Sequence, residues 1–284
     1  MEGVASPERL GEFRLADGRT LGWSEWGPVD GRPVLLCPGA ATSRRLGFGT
    51  ELVHPLGVRL VSVDRPGLGV STPAPERTIA DFAVDVEQLA EGRGWTSPVV
   101  IGNSQGAPFA LACAVAGLAS ALYLVSAADE IGSPHFAGML GGHLATVVDL
   151  CGRNPRAAYE QFLSFDADSV RKMVVENSGD RDTAVYTDPV FDAAYREALR
   201  EGFAQGAGGY ATDTVLAMRP WQLDLDRVSC PVEIWYGEED TSHSPDNGVT
   251  LTSRVPGASR RSVPDGGGSL LWTHSETLLR RVTT

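Results

Sequence analysis

The stretch VVIGNSQGAPFALACA, residues 99–114, carries the pattern that decides the fold. It begins as a short apolar run, typical of a buried strand, and continues as small and apolar residues typical of a helix. Between the two, Gly102, Ser104 and Gly106 form a G-x-S-x-G sequence. A serine on so tight a turn needs small neighbours, because its backbone is strained and its hydroxyl is pushed out over the sheet edge. Ser104 is therefore a candidate nucleophile, with an ordinary helix-capping serine as the alternative.

Strand-like and helix-like segments alternate on both sides of this turn. We expect a hairpin that turns at Asp17–Gly18, in EFRLADGRTLGWSEWG, and buried strands in PVLLCPG, VRLVSVDRPG and ALYLVSA. An amphipathic helix is expected over 78–89. After a break come a strand in CPVEIWYGEED, a helix from about Pro245, a strand in ASRRSVPD and a terminal helix from Ser269. This order predicts an α/β fold with a mostly parallel sheet and helices on both faces.

The segment 129–221 shows no strand pattern. Its clearest helix, DPVFDAAYREALREGF, has a start signal at Asp188 followed by proline. We expect a helical cap here, inserted into a sheet-containing core of residues 1–128 and 222–284. Large side chains recur every four residues on one face of that helix and are expected to pack the cap against itself or the core, a minority of them lining a pocket beneath it. They are Phe191, Tyr195, Leu199 and Phe203.

Composition excludes several classes of protein. The 284 residues are 42% hydrophobic and 21% charged, which is typical of a folded globular domain. No apolar run is long enough to span a bilayer and no secretion signal is recognisable, so we expect a cytoplasmic protein without a membrane partner. The net charge of -12 disfavours nucleic acid. The 4 cysteines show no zinc-binding spacing, so we expect reduced thiols, no metal and no cofactor.

Taken together, these motifs resemble the α/β-hydrolase family, of the serine-hydrolase or esterase type with a helical cap. LLCPGAATSR resembles the strand and turn that supply an oxyanion-hole donor, here implied to be the N–H of Ala40, although Pro38 stands where the family usually has histidine. The N–H of Gln105, at the start of the helix after the serine, would be the second donor. VDRPGLGVS resembles the family's D-R-P-G-x-G-x-S segment, in which an architectural role is implied for Asp64, Gly67, Gly69 and Ser71.

The resemblance also implies an acid at the end of a late strand. In IWYGEED, Asp240 has the G-x-x-D position of that acid, next to Glu238 and Glu239. An acidic, solvated turn is the alternative. The order of serine before acid and the placement at a strand end favour Asp240. The acid would orient a histidine that takes the proton of the serine.

The histidine that the family carries after its last strand is missing. VPDGGGSLLWTHSE, residues 263–276, has Gly268 at the expected position, or Gly267 in the other alignment. His274 lies just past this turn and is the candidate base, while His243 lies close to the acid and could bond it directly. Surface or packing roles are expected for the other histidines, although one in the cap could reach down: His54, His135 and His143.

Three interpretations stay open. In the first, His274 or His243 serves as base, and the protein hydrolyses a small, largely apolar ester, lactone or amide. In the second, glycine has replaced the histidine, naturally or by deliberate substitution, and hydrolysis is crippled. In the third, the fold serves cyclase, lyase or isomerase chemistry, or binds a ligand without catalysis. Each interpretation has a small molecule as partner, and a homodimer is left open.

Overall fold

The computed structural model describes residues 3–283, and within them the chain forms eight strands and eleven α-helices. The strands are β1 (Arg9–Arg14), β2 (Thr20–Trp26), β3 (Arg32–Cys37), β4 (Val58–Val63), β5 (Val99–Ser104), β6 (Ala121–Ala127), β7 (Val232–Gly237) and β8 (Ser259–Val263). The helices are α1 (Ile79–Arg93), α2 (Ala107–Val115), α3 (Gly142–Arg153), α4 (Pro155–Phe162), α5 (Ala167–Glu176), α6 (Asp180–Tyr186), α7 (Pro189–Gly202), α8 (Gly208–Ala217), α9 (Val249–Arg254), α10 (Leu270–Thr273) and α11 (Ser275–Val282).

The strands form one sheet in the order β1-β2-β4-β3-β5-β6-β7-β8. The first two strands make the predicted hairpin, with Arg14 paired to Thr20, and β2 also runs antiparallel to β4. All the other neighbouring pairs are parallel. The prediction of a mostly parallel sheet is therefore confirmed. Because parallel strands end at the same edge of a sheet, the segments that follow β3, β5 and β7 lie along one edge, with the end of β6 between those of β5 and β7.

Apolar helices cover both faces of this sheet, as predicted. Side chains alternate along each strand, so that Leu35 of β3 packs in one apolar cluster and Leu36 in the other. The first cluster includes residues of α1, α2 and α9, and the second includes residues of α10 and α11. Both leucines are fully buried, which is typical of a strand covered on both sides.

The cap, defined here as α3–α8, lies between β6 and β7 in the chain. A third apolar cluster of the protein lies mainly in the cap. It contains Phe191, Tyr195 and Leu199 from the α7 face predicted to pack the cap, and Phe203 packs against it. Phe191 also contacts Trp272 of α10, with ring centroids 4.9 Å apart. The α7 helix begins as predicted, because the Asp188 carboxylate accepts hydrogen bonds from the N–H groups of Val190 and Phe191, both at 3.1 Å.

Two helix boundaries differ from the sequence prediction. The helix expected from about Pro245 begins at Val249, because the preceding Gly248 has a left-handed backbone, with φ 76°. The terminal helix is interrupted, because the backbone of His274, with φ −122°, leaves the helical region between α10 and α11.

Among residues 3–283, none of the helices combines the length and the apolar composition that crossing a membrane requires.

Candidate active site

Ser104 ends β5 on a strained turn. Its φ of 49° is in the left-handed region, which residues other than glycine rarely adopt. A Cβ on Gly102 would lie 2.7 Å from the Cβ of Ala110, and one on Gly106 would overlap the carbonyl oxygen of Cys37. Positions 102 and 106, two residues on either side of the serine, must therefore be glycine for β5 and α2 to pack so closely.

The loop after β3 lies against this serine. A Cβ on Gly39 would be 3.5 Å from the Cβ of Ser104. Within the described range 3–283, the backbone N–H groups of Ala40 and Gln105 donate no hydrogen bond, although they follow Gly39 and Ser104 directly. These are the two groups predicted as the oxyanion hole, and neither N–H is committed to another acceptor.

Arg65 holds the loop in place. Its guanidinium donates hydrogen bonds to the carbonyl oxygens of Pro38 and Gly39, at 2.6 and 3.0 Å, and its Nε donates to Asp213 of α8 at 2.6 Å. The Arg65 side chain is fully buried over the ring of Phe109. Sequence reasoning passed over Arg65, although it stands in the VDRPG segment that was singled out.

The rest of that segment organises its own loop. The carboxylate of Asp64 accepts hydrogen bonds from the N–H groups of Arg44 and Val70, at 2.7 and 3.1 Å, and the hydroxyl of Ser71 donates to the Asp64 carbonyl at 2.7 Å. Burial raises the pKa of Asp64 to about 7, against the opposing effect of Arg44. These contacts fit the architectural role that the resemblance implied.

Asp240 and His243 form a largely buried pair in the acid turn, defined as residues 238–244, with the His243 side chain 15% exposed. Nδ1 of His243 lies 3.0 and 2.9 Å from the two carboxylate oxygens of Asp240, which is 3% exposed. Burial lowers the pKa of His243, but the Asp240 carboxylate outweighs burial, and the pKa is raised overall. Because the acid occupies Nδ1, Nε2 is the nitrogen left to accept a proton.

The imidazole fills space that Gly268 leaves open. A Cβ on Gly268 would lie 2.7 Å from Cε1 and 2.9 Å from Nδ1 of His243, and 3.3 Å from an oxygen of Asp240. Gly268 belongs to the glycine turn, defined as residues 264–269, which follows β8. His243 therefore occupies the place into which a side chain at 268 would extend.

Backbone hydrogen bonds join the serine turn to the acid turn. The N–H of Ala128 donates to the carbonyl of Ser104 at 3.0 Å, and the N–H of the next residue, Asp129, donates to the carbonyl of His243 at 3.1 Å. In the described part of the chain, neither the Ser104 hydroxyl nor Nε2 of His243 has a hydrogen-bond partner. Catalytic hydrogen bonds of this kind often tighten only when a substrate binds.

The structure does not bring His274 to Asp240. The His274 ring lies between α10 and α11, with Nδ1 3.0 Å from the hydroxyl of Thr273. Burial and the nearby Arg261 lower the pKa of His274. The other histidines are exposed, one beside Glu8 and two in the cap segment: His54, His135 and His143.

The two glutamates beside the acid point elsewhere. Glu238 accepts a hydrogen bond from Ser262 at 2.9 Å, and Glu239 pairs with Arg181 at 2.9 Å. Of the three carboxylates in this turn, Asp240 is the one that contacts an imidazole.

Comparison with known proteins decides the family. A family model of the alpha/beta hydrolase fold matches residues 32–275. The chain belongs to the alpha/beta hydrolase fold family. The matched range includes Ser104, Asp240 and Gly268 of this hydrolase-fold protein.

Individual relatives agree with this assignment. A proline iminopeptidase from Arabidopsis thaliana is 32% identical over 109 residues, 37% of this chain and 29% of that protein. A serine hydrolase-like protein from Danio rerio is 33% identical over 120 residues, 39% of this chain and 34% of that protein. The chain thus spans about a third of the length of these relatives. The esterase structure from Exiguobacterium antarcticum superposes with a TM-score of 0.69 at 16% identity, covering 96% of this chain and 99% of that one.

Proposed function

We propose that this hydrolase-fold protein is a serine hydrolase in which Ser104 is the nucleophile, Asp240 the orienting acid and His243 the general base. The observation that carries the proposal is the hydrogen-bonded Asp240–His243 pair, whose imidazole occupies the space beside Gly268. A histidine at 268 would extend into the same space. On this account the base has not been lost but has moved to the acid turn.

Acylation follows from the groups at this edge of the sheet. Nε2 of His243 takes the hydroxyl proton of Ser104 as Oγ bonds to the carbonyl carbon of the substrate. The N–H groups of Ala40 and Gln105 donate to the oxyanion of the tetrahedral intermediate. When the intermediate collapses, the bond to the leaving group breaks and the leaving group takes the proton from His243, so that Ser104 carries the acyl group.

Deacylation follows the same chemical steps, with water in place of the serine hydroxyl. His243 takes a proton from a water molecule, whose oxygen bonds to the acyl carbon, and it returns that proton to Oγ of Ser104 as the acid leaves. The Asp240 carboxylate stabilises the imidazolium that forms in each half-reaction, because it lies 2.9 Å from Nδ1. The strained φ of 49° at Ser104 holds the hydroxyl at the turn throughout.

A small, largely apolar ester, lactone or amide suits the surroundings of the site. Ala41, which follows the oxyanion-hole donor Ala40, is fully buried in the apolar cluster of the cap. Aromatic rings of the cap and α10 belong to the same cluster, among them Tyr186 and Trp272, whose centroids are 6.1 Å apart. The similarity to a known esterase is in keeping with an ester as substrate.

Covalent labelling tests the proposal. The purified protein is incubated with an alkyl fluorophosphonate, and the mass of the intact protein is measured by mass spectrometry, with Ser104→Ala as the matched control. We expect a single phosphonyl adduct on the wild type, mapped to Ser104, and none on the variant. Absence of an adduct on the folded wild-type protein contradicts the proposal and favours a protein that binds its ligand without attacking it.

A further inference from the structure

One carboxylate of the cap is bound to the glycine turn. Asp182 of α6 accepts a hydrogen bond from the N–H of Gly268 at 2.7 Å through one oxygen and from the N–H of Ser269 at 2.9 Å through the other. The Asp182 residue is 5% exposed. A buried carboxylate that receives two N–H groups fixes both its own position and that of the peptide groups it binds.

Arg181 and Asn177, which precede Asp182 in the chain, contact the acid turn and the glycine turn. Arg181 pairs with Glu239 of the acid turn at 2.9 Å and with Asp265 of the glycine turn at 3.3 Å. The hydroxyl of Ser242, in the acid turn, donates to the carbonyl of Asn177 at 2.9 Å. The beginning of α6 and the residue Asn177 before it therefore touch both turns that surround His243.

We infer that Asp182 is a positioning residue for His243, an inference that rests on the proposed function. The ring of His243 packs against Gly268, and Asp182 fixes the peptide N–H of that glycine. If the glycine turn moved away, the His243 ring would lose the packing contact with Gly268 that keeps it facing Asp240. The cap thus takes part in holding the proposed base, in addition to covering the site.

Charge is the second contribution of Asp182. The titratable groups that act electrostatically on His243 are Asp240 from its own turn and Asp182 from α6. Tyr186 of α6 and Tyr236 of β7 lie near Asp240, and Asp129 contacts His243 through its backbone N–H. The carboxylate of Asp129 accepts from Ser244 at 2.9 Å. Burial lowers the pKa of His243, whereas Asp240 and, to a smaller extent, Asp182 raise it. Removal of the Asp182 charge should therefore lower the pKa of the imidazole.

The test compares Asp182→Asn with Asp180→Asn, which makes the same change at an exposed position on the same helix. Hydrolysis of a short-chain p-nitrophenyl ester is measured from pH 5 to pH 9. For Asp182→Asn we expect kcat to fall at least about tenfold with KM within about threefold, and the acid limb of kcat/KM to move to lower pH. Asp180→Asn should match the wild type in both respects.

A kcat and an acid limb that coincide with those of the wild type overturn the inference. If Asp182→Asn does not fold, as judged by circular dichroism, Gly267→Ala takes its place. A Cβ on Gly267 would overlap both carboxylate oxygens of Asp182, so this variant displaces the carboxylate and keeps it in the chain. We expect the same fall in kcat, and an unchanged kcat overturns the inference. Fluorophosphonate labelling of the wild type separates this failure from failure of the proposed function, because only the latter removes labelling.

Discussion

The imidazole of His243 lies where a side chain on Gly268 would begin, with Cε1 2.7 Å from the position of that Cβ. A histidine at 268 and His243 in this position exclude each other, because both need the volume beside Asp240. Gly268 in the glycine turn and His243 in the acid turn are therefore one feature of the site.

Gly268→Ala should disturb the base without disturbing the fold. The added Cβ would displace the His243 ring, and a displacement of this kind is expected to lower kcat/KM on a p-nitrophenyl ester by about 10- to 100-fold. Gly152→Ala is the matched control, because a Cβ on Gly152 meets nothing within 4 Å. Equal activity of Gly268→Ala and wild type would show that the ring position does not matter to the reaction.

Returning the histidine to the glycine turn should restore part of the activity. In the double variant His243→Ala, Gly268→His, the new side chain enters the space that the old ring has left. We expect kcat/KM at least about tenfold above that of His243→Ala alone, because a base that reaches the nucleophile contributes far more than this. In Gly268→His alone the two rings compete, and we expect activity below that of the wild type. A double variant no better than His243→Ala would argue against a shared position.

Activity should rise with pH through the titration of His243. Only the neutral imidazole can take a proton from Ser104, and Asp240 raises the pKa above its ordinary value of about 6.5. The acid limb of kcat/KM is therefore expected above pH 6.5, with loss of activity as the pH falls through it. Burial raises the pKa of Asp129 to about 6, so Asp129→Asn is measured in parallel and should leave the midpoint unchanged. A midpoint clearly below 6.5 would contradict the assignment.

Asp213 should be important for stability. It pairs with Arg65 at 2.6 Å and also with Arg77, and all three side chains are buried. Asp213→Ala leaves two buried guanidinium groups without their carboxylate, which is expected to lower the free energy of unfolding by about 3–5 kcal/mol. Urea denaturation measures this loss.

Asp168→Ala is the control for that measurement. Asp168 pairs with Arg196 at 3.4 Å, but its side chain is 84% exposed, so the expected change is at most about 1 kcal/mol. Similar losses in the two variants would show that burial of the Asp213 cluster adds nothing to its stabilising effect.

The sequence predicts the fold well because the deciding constraints are local. The two glycines around Ser104 and the alternation of apolar strands with helices can be recognised within a few residues of each other. The start of α7 follows from Asp188 for the same reason, since a capping side chain acts on its own turn.

The base and its supports could not be fixed in the same way. Spacing shows that His243 is near Asp240 but not that its ring turns into the space left by Gly268, which depends on the packing of β8 beside β7. The contacts of Arg65 with the oxyanion loop and of Asp182 with the glycine turn join residues far apart in the chain. Such contacts follow from the assembled fold, and a single sequence has no local pattern for them.

The rate of phosphonylation of Ser104 distinguishes His243 from His274 as the general base, and its measurement needs no knowledge of the substrate. The second-order rate constant with one fluorophosphonate is measured for the wild type, His243→Gln and His274→Gln. We expect a fall of at least about 10³-fold for His243→Gln and a change within about threefold for His274→Gln. A large fall for His274→Gln with an unchanged rate for His243→Gln would contradict the assignment of His243 as the base.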